Sequence, residues 1–174
     1  MLAWLALLAV AQQLQEDPLD ATRSAIAEGD LRRAVAQLQA LPASAETENL
    51  WTNLYYRAGA PTLALEHLEA GLGHRPEHLE LLHRGASVAL WLGDAKLARL
   101  YVGRLAKAVE ATELAATARP GWQAAVEDFE ERAAALEEGL RTRGTALMRA
   151  RVVALATMVL AFGVLVFVGR RSVP

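Results

Sequence analysis

Apolar and small residues recur three or four positions apart along most of this chain, and glycine or proline interrupts them at intervals. Leu19, Ala25 and Ile26 share one face of a first predicted helix that ends at Gly29. Asp30 suits the cap of a second, in which Leu31, Ala34, Val35 and Leu38 keep helical spacing up to Pro42. A third is predicted from about Glu46 to Ala58, with Leu50, Trp51, Leu54 and Tyr55 inward. Pro61 stands at the first position of a fourth, where its missing N–H costs nothing. Leu65, Leu68 and Leu72 carry that stripe to Gly73 and Pro76. A fifth helix runs from about Glu77 to Trp91. The sixth starts near Ala95 with Leu97, Ala98, Tyr101, Val102 and Leu105. It is expected to continue past Lys107 through Val109 and Leu114 to a stop at Arg119-Pro120-Gly121.

The turns between these helices fall in register. Gly29, Gly59 and Gly93 are 30 and 34 residues apart, and each has an alanine five positions on, at Ala34, Ala64 and Ala98. A period of this size predicts an array of about three helix-turn-helix units, in which small residues let paired helices approach and neighbours bury what one unit cannot. Tyr55, Gly59, Ala64, Gly71 and Pro76 in the second unit, with Gly93-Asp94 and Ala98 in the third, resemble the tetratricopeptide repeat over residues 16–108. The family's early Trp is replaced by Glu48 and Leu82, and Ala89 takes its aromatic position in the third unit. The resemblance implies a partner-binding groove lined by Asn49, Asn53, Tyr56 and Arg57, by His83, Arg84, Ser87 and Trp91, and by Arg23. Amides there would fix an extended peptide backbone, cations a carboxylate, and the aromatics an apolar anchor.

Beyond Pro120 the pattern changes. Trp122, Val126, Phe129, Ala133, Leu136, Leu140 and Leu147 form a heptad seam, with Arg143 at the site before Leu147. Such a stem, over 121–150, either packs back on the last unit or offers a route to a homodimer. Val152 to Val168 carries no charge for seventeen residues, so a single transmembrane helix is expected over 151–169, followed by a short basic tail at 170–174. At the other end, the apolar run at 1–11 closes with Ala9-Val10-Ala11 and reads as a signal peptide ahead of a repeat domain at 16–119. A cleaved leader and one late span would place the repeats outside the cytoplasm and the C-terminus inside. The arginines ahead of Val152 outnumber those after Val168 and argue for the reverse.

Composition narrows the chemistry. The chain has 174 residues, 18 basic against 20 acidic, so no nucleic-acid partner is implied. Cysteine is absent, which removes disulfides and thiolate chemistry. His67, His74, His78 and His83 lie close together, but Pro76 breaks the helix that a His74–His78 metal pair would need. No phosphate loop and no nucleophile elbow is present. The expectation is therefore an all-α protein without catalytic, cofactor or metal residues. It would be a membrane-anchored scaffold of bacterial envelope type that holds a protein or peptide partner, and its architecture is similar to that of the repeat proteins of aerotolerance operons. The alternatives are a structural subunit assembled through stem and span, or a small metal-dependent enzyme.

Overall fold

The computed structural model describes the backbone of residues 17–171 and the side chains of residues 17–155. The expected leader at 1–11 lies outside the described residues. Among them the chain forms seven helices and no strand: α1 (Pro18–Glu28), α2 (Leu31–Gln39), α3 (Ala45–Arg57), α4 (Pro61–His74), α5 (Leu79–Trp91), α6 (Ala95–Ala111) and α7 (Arg119–Arg171). The all-α reading agrees with this architecture.

The three in-register glycines close α1, α3 and α5 in the same way. Gly29, Gly59 and Gly93 have φ of 80°, 77° and 73°, a region that L side chains enter only with strain. The residue after each glycine then donates its N–H back along the helix, Asp30 to Ala25 O, Ala60 to Tyr55 O and Asp94 to Ala89 O, at 2.9–3.0 Å. These bonds satisfy carbonyls that the helix end leaves open. Asp30 and Asp94 next cap the following helices, accepting from the N–H groups of Arg33 (3.0 Å) and Leu97 (2.9 Å). In the middle turn Ala60 has no capping side chain, and Pro61 starts α4 instead. The result is three helical hairpins, α1–α2, α3–α4 and α5–α6.

Ala34, Ala64 and Ala98 are fully buried where the paired helices cross. Two glycines permit still closer approach. A Cβ on Gly71 would stand 2.7 Å from Leu81 Cδ1 and 2.9 Å from Glu48 Cβ, and one on Gly85 would stand 2.7–3.0 Å from the Tyr101 ring. Tyr101 is fully buried, and its hydroxyl donates to Glu69. Burial and that bond push the phenol's pKa upward. The apolar interior forms two clusters. One gathers Ala25, Ile26, Ala34, Leu38, Leu50 and Leu54; the other runs through α4, α5, α6 and the start of α7 to Phe129 and Ala133.

Two boundaries differ from expectation. Helix α6 stops at Ala111, because Thr112 turns extended (φ −82°, ψ 135°), and Arg119-Pro120 opens a helix instead of ending one. Proline is tolerated in a first helical turn, where its N–H would have no partner anyway. The heptad seam is also divided. Trp122 and Val126 are partly buried and Phe129 and Ala133 buried against the second cluster, so the latter two are not free to pair with another copy. The chain separates into two compact units, Met1–Ala133 and Ala134–Pro174, and within the second Leu140 and Leu147 are exposed.

The membrane expectation does not hold. Among the described residues no helix is long and apolar enough to cross a membrane. The run expected to span at 151–169 is instead the end of α7, a helix of 53 residues that carries charged side chains from Glu127 to Arg151. The side chains beyond Leu155 lie outside the described residues, as do residues 172–174 of the expected tail. A single-pass location, an orientation across a bilayer and the membrane as partner are accordingly not assigned.

The close approach of α5 and α6 yields a test. Gly85→Ala is expected to lower the unfolding free energy by about 1–3 kcal/mol, because the Tyr101 ring has nowhere to retreat. Gly103, exposed on α6 with nothing within 4 Å of a built Cβ, is the contrast. Gly103→Ala should raise stability by about 0.5–1 kcal/mol by removing backbone freedom from the unfolded chain. Urea titrations of the full chain read both signs.

Candidate functional site

Helices α1, α3 and α5 lie side by side, with α3 touching both. The nine residues expected to line a groove all come from these three helices, but they do not act as one set. Arg23 is ion-paired with Asp20 on its own helix and is exposed. Arg57 reaches back to Ala27 O at 3.5 Å. Ser87 donates to His83 O one turn earlier, at 3.2 Å.

The rest fall into two groups. In the first, Asn49 sits on the buried side of α3 and bonds in both directions across to α5. Its Nδ2 donates to Glu80 Oε2 at 2.6 Å, and its Oδ1 accepts from Arg84 Nε at 2.8 Å. Arg84 Nη1 also donates to Asn53 Oδ1 at 3.0 Å. Both acceptors of the guanidinium are neutral amides. Burial lowers the Arg84 pKa from its ordinary value, against the pull of Glu80, which faces the same guanidinium without bonding to it. Arg84 is half-buried, and holding a partly desolvated charge on neutral amides carries a cost.

The second group is aromatic. Tyr56 at the end of α3 and Trp91 at the end of α5 meet edge to face, with ring centroids 5.1 Å apart and planes at 79°. Tyr56 is 37% exposed and Trp91 48%. With Ser87, Leu90 and Arg132 they line a cleft of about 390 Å³. A second cleft, of about 380 Å³, is lined by Glu80, His83, Arg84, Ala118, Gly121, Trp122 and Ala125. His83 has its ring edge-on to Trp122 (5.9 Å) and Phe129 (4.9 Å).

No family model, curated protein or solved structure matches the chain. The tetratricopeptide resemblance is therefore withdrawn. The positions where the sequence departs from that family serve packing of their own: Glu48 bonds to His67, while Leu82 and Ala89 are fully buried. The expectations built on the resemblance and the span, a membrane-anchored envelope scaffold or a subunit assembled through a transmembrane helix, fall with them.

The histidines also find separate places. His67 stacks on Trp51 (5.3 Å) and Tyr55 (5.2 Å) and bonds to Glu48 Oε2 at 2.7 Å. His78 caps α5, accepting from Leu81 N–H at 3.4 Å. Among the described residues no group of three His, Asp or Glu is placed to hold a metal ion. Sequence reasoning missed Glu80, Trp122 and Arg132 as lining residues. Glu80 lies one turn before Arg84 on the same helix face, a signal that was available. Trp122 and Arg132 arrive through the fold of α7 and had none.

Burial, and next the charge of Arg84, lower the His83 pKa below 6.5; Arg132 acts the same way, while Glu80 and Asp128 oppose. Burial also lowers that of His78. A histidine whose folded pKa is depressed is held neutral, so the unfolded chain binds protons first as pH falls below 6.5. Stability is full above that value and is lost as pH drops through the folded pKa. Glu46, lowered from 4.5 by a backbone hydrogen bond, acts in the same sense at more acid pH. Unfolding free energy measured between neutrality and about pH 5 should therefore decline, and in His83→Phe, which keeps an apolar ring between Trp122 and Phe129, the decline should be shallower.

Proposed function

We propose that the helical hairpins form a non-catalytic protein-recognition module that receives a large apolar side chain of a partner against the Tyr56–Trp91 pair. One observation carries the reading: two aromatic side chains at the ends of neighbouring helices stay exposed and line a cleft together with Ser87, Leu90 and Arg132. Tyrosine and tryptophan present broad apolar faces at small entropic cost, and they dominate the energetics of protein interfaces. Arg132 at the rim, ion-paired to Asp128 at 3.2 Å and exposed, favours acidic residues beside the apolar anchor.

The test is a peptide-display selection on the immobilised full chain. Recovered peptides should share a large apolar residue with an acidic neighbour. Trp91→Ala, at an exposed position, should weaken them by about 2 kcal/mol, or about thirtyfold, without loss of helix content. Peptides that bind Trp91→Ala and Tyr56→Ala as tightly as the parent would refute the assignment, as would a selection that enriches nothing.

A further inference from the structure

The second cleft has a chemistry of its own. Arg84 uses Nε and Nη1 on the amides of Asn49 and Asn53, and among the described residues its Nη2 has no hydrogen-bond partner. Glu80 spends Oε2 on Asn49 and has no other hydrogen bond among those residues. The Asn49 amide thus bonds both a guanidinium and a carboxylate, which attract each other but share no direct hydrogen bond. Each keeps a charged edge at a cleft that both of them line. The remaining lining is largely apolar: the Trp122 ring, Ala118, Gly121, Ala125 and the His83 ring. Burial and the nearby Arg84 charge favour the neutral form of that imidazole.

We propose that this cleft binds a free α-amino acid, with its carboxylate on Arg84, its ammonium on Glu80 and an apolar side chain against Trp122. Opposite charges on adjacent atoms are what the Arg84–Glu80 pair complements. A phosphate or a dicarboxylate would meet repulsion from Glu80, and a simple amine would meet it from Arg84. A bound carboxylate would also give the half-buried guanidinium a charged partner at Nη2, through a charge-assisted hydrogen bond. The volume, about 380 Å³, lies at the small end of the range for ligand pockets, roughly 300–1,000 Å³, and suits one residue better than a peptide. Helix α5 supplies Glu80 and Arg84, and α7 supplies Gly121, Trp122 and Ala125, so an occupant would bridge the last hairpin and the helix packed on it. The site shares no lining residue with the Tyr56–Trp91 cleft, so it stands whether or not that cleft binds a protein.

Calorimetric titration of the full chain with the common L-amino acids tests the proposal. A large apolar amino acid should bind saturably, and its C-terminal amide and its N-acetyl derivative, which remove one charge each, should bind at least about tenfold more weakly. Arg84→Gln should abolish binding and Glu80→Gln should weaken it, whereas Trp91→Ala should leave it unchanged. Because Arg84 also ties α3 to α5, Ala125→Phe serves as a second variant that fills the cleft and leaves the hydrogen-bond network intact. It too should abolish binding. Failure of every amino acid to bind would overturn the inference, as would unchanged affinity in Ala125→Phe. Equal affinity for the N-acetyl derivative would overturn it in favour of a peptide C-terminus.

Discussion

Where helix α3 lies against α5, the buried Asn49 amide is satisfied on both of its ends. A primary amide buried between two helices would be costly if left unbonded, since it offers two donors and an acceptor that water can no longer reach. Here one end meets Glu80 and the other Arg84, and Asn53 adds a second acceptor for the same guanidinium. The charged groups on this face are therefore placed by one neutral side chain. Were Asn49 apolar, Arg84 and Glu80 would be free to pair with each other, and the cleft beside them would lose its two separate charges.

Around that point the structure relies on size more than on polarity. Alanines where the paired helices cross, and the glycines beneath Leu81 and Tyr101, let backbones approach until little but van der Waals contact separates them. The gain is a close fit within and between hairpins, and the consequence is intolerance: one added methyl at Gly85 has to be accommodated by a fully buried aromatic ring. Exposed Tyr56 and Trp91 sit at the ends of α3 and α5, where the turns begin and this packing no longer covers them. The same rule that buries Tyr101 thus leaves two other aromatics available.

Much of the fold could be read from the residues. The glycines at 29, 59 and 93 announce left-handed turns because few other residues enter that backbone region, and Asp30 and Asp94 announce caps because a short carboxylate reaches the free N–H groups of the next helix. These are local constraints, settled within a few residues. The end of α6 was not legible, because no glycine or proline stands between Val109 and Pro120 to announce the break that the extended turn at Thr112 decides. The seam after Pro120 was legible as a stripe, but its occupant was not: spacing says that a helix has an apolar face, and says nothing of which surface covers it. The apolar run after Arg151 likewise reads as a separate element by composition, whereas the backbone continues through it from Arg119.

The candidate site shows where that division falls. From the order of residues alone follow the helices, their turns, and the fact that Asn49, Asn53, Tyr56, Arg84 and Trp91 stand on first helices of successive hairpins. Periodicity fixes a side chain's direction relative to its own axis, and no more than that. Tertiary structure decided that Arg84 would be held by amides rather than ion-paired, that His83 would lie against Trp122 and Phe129, and that α7 would close one side of a cleft. Those outcomes depend on contacts between residues 30 to 50 positions apart, whose energies are set by burial and geometry that no local pattern records.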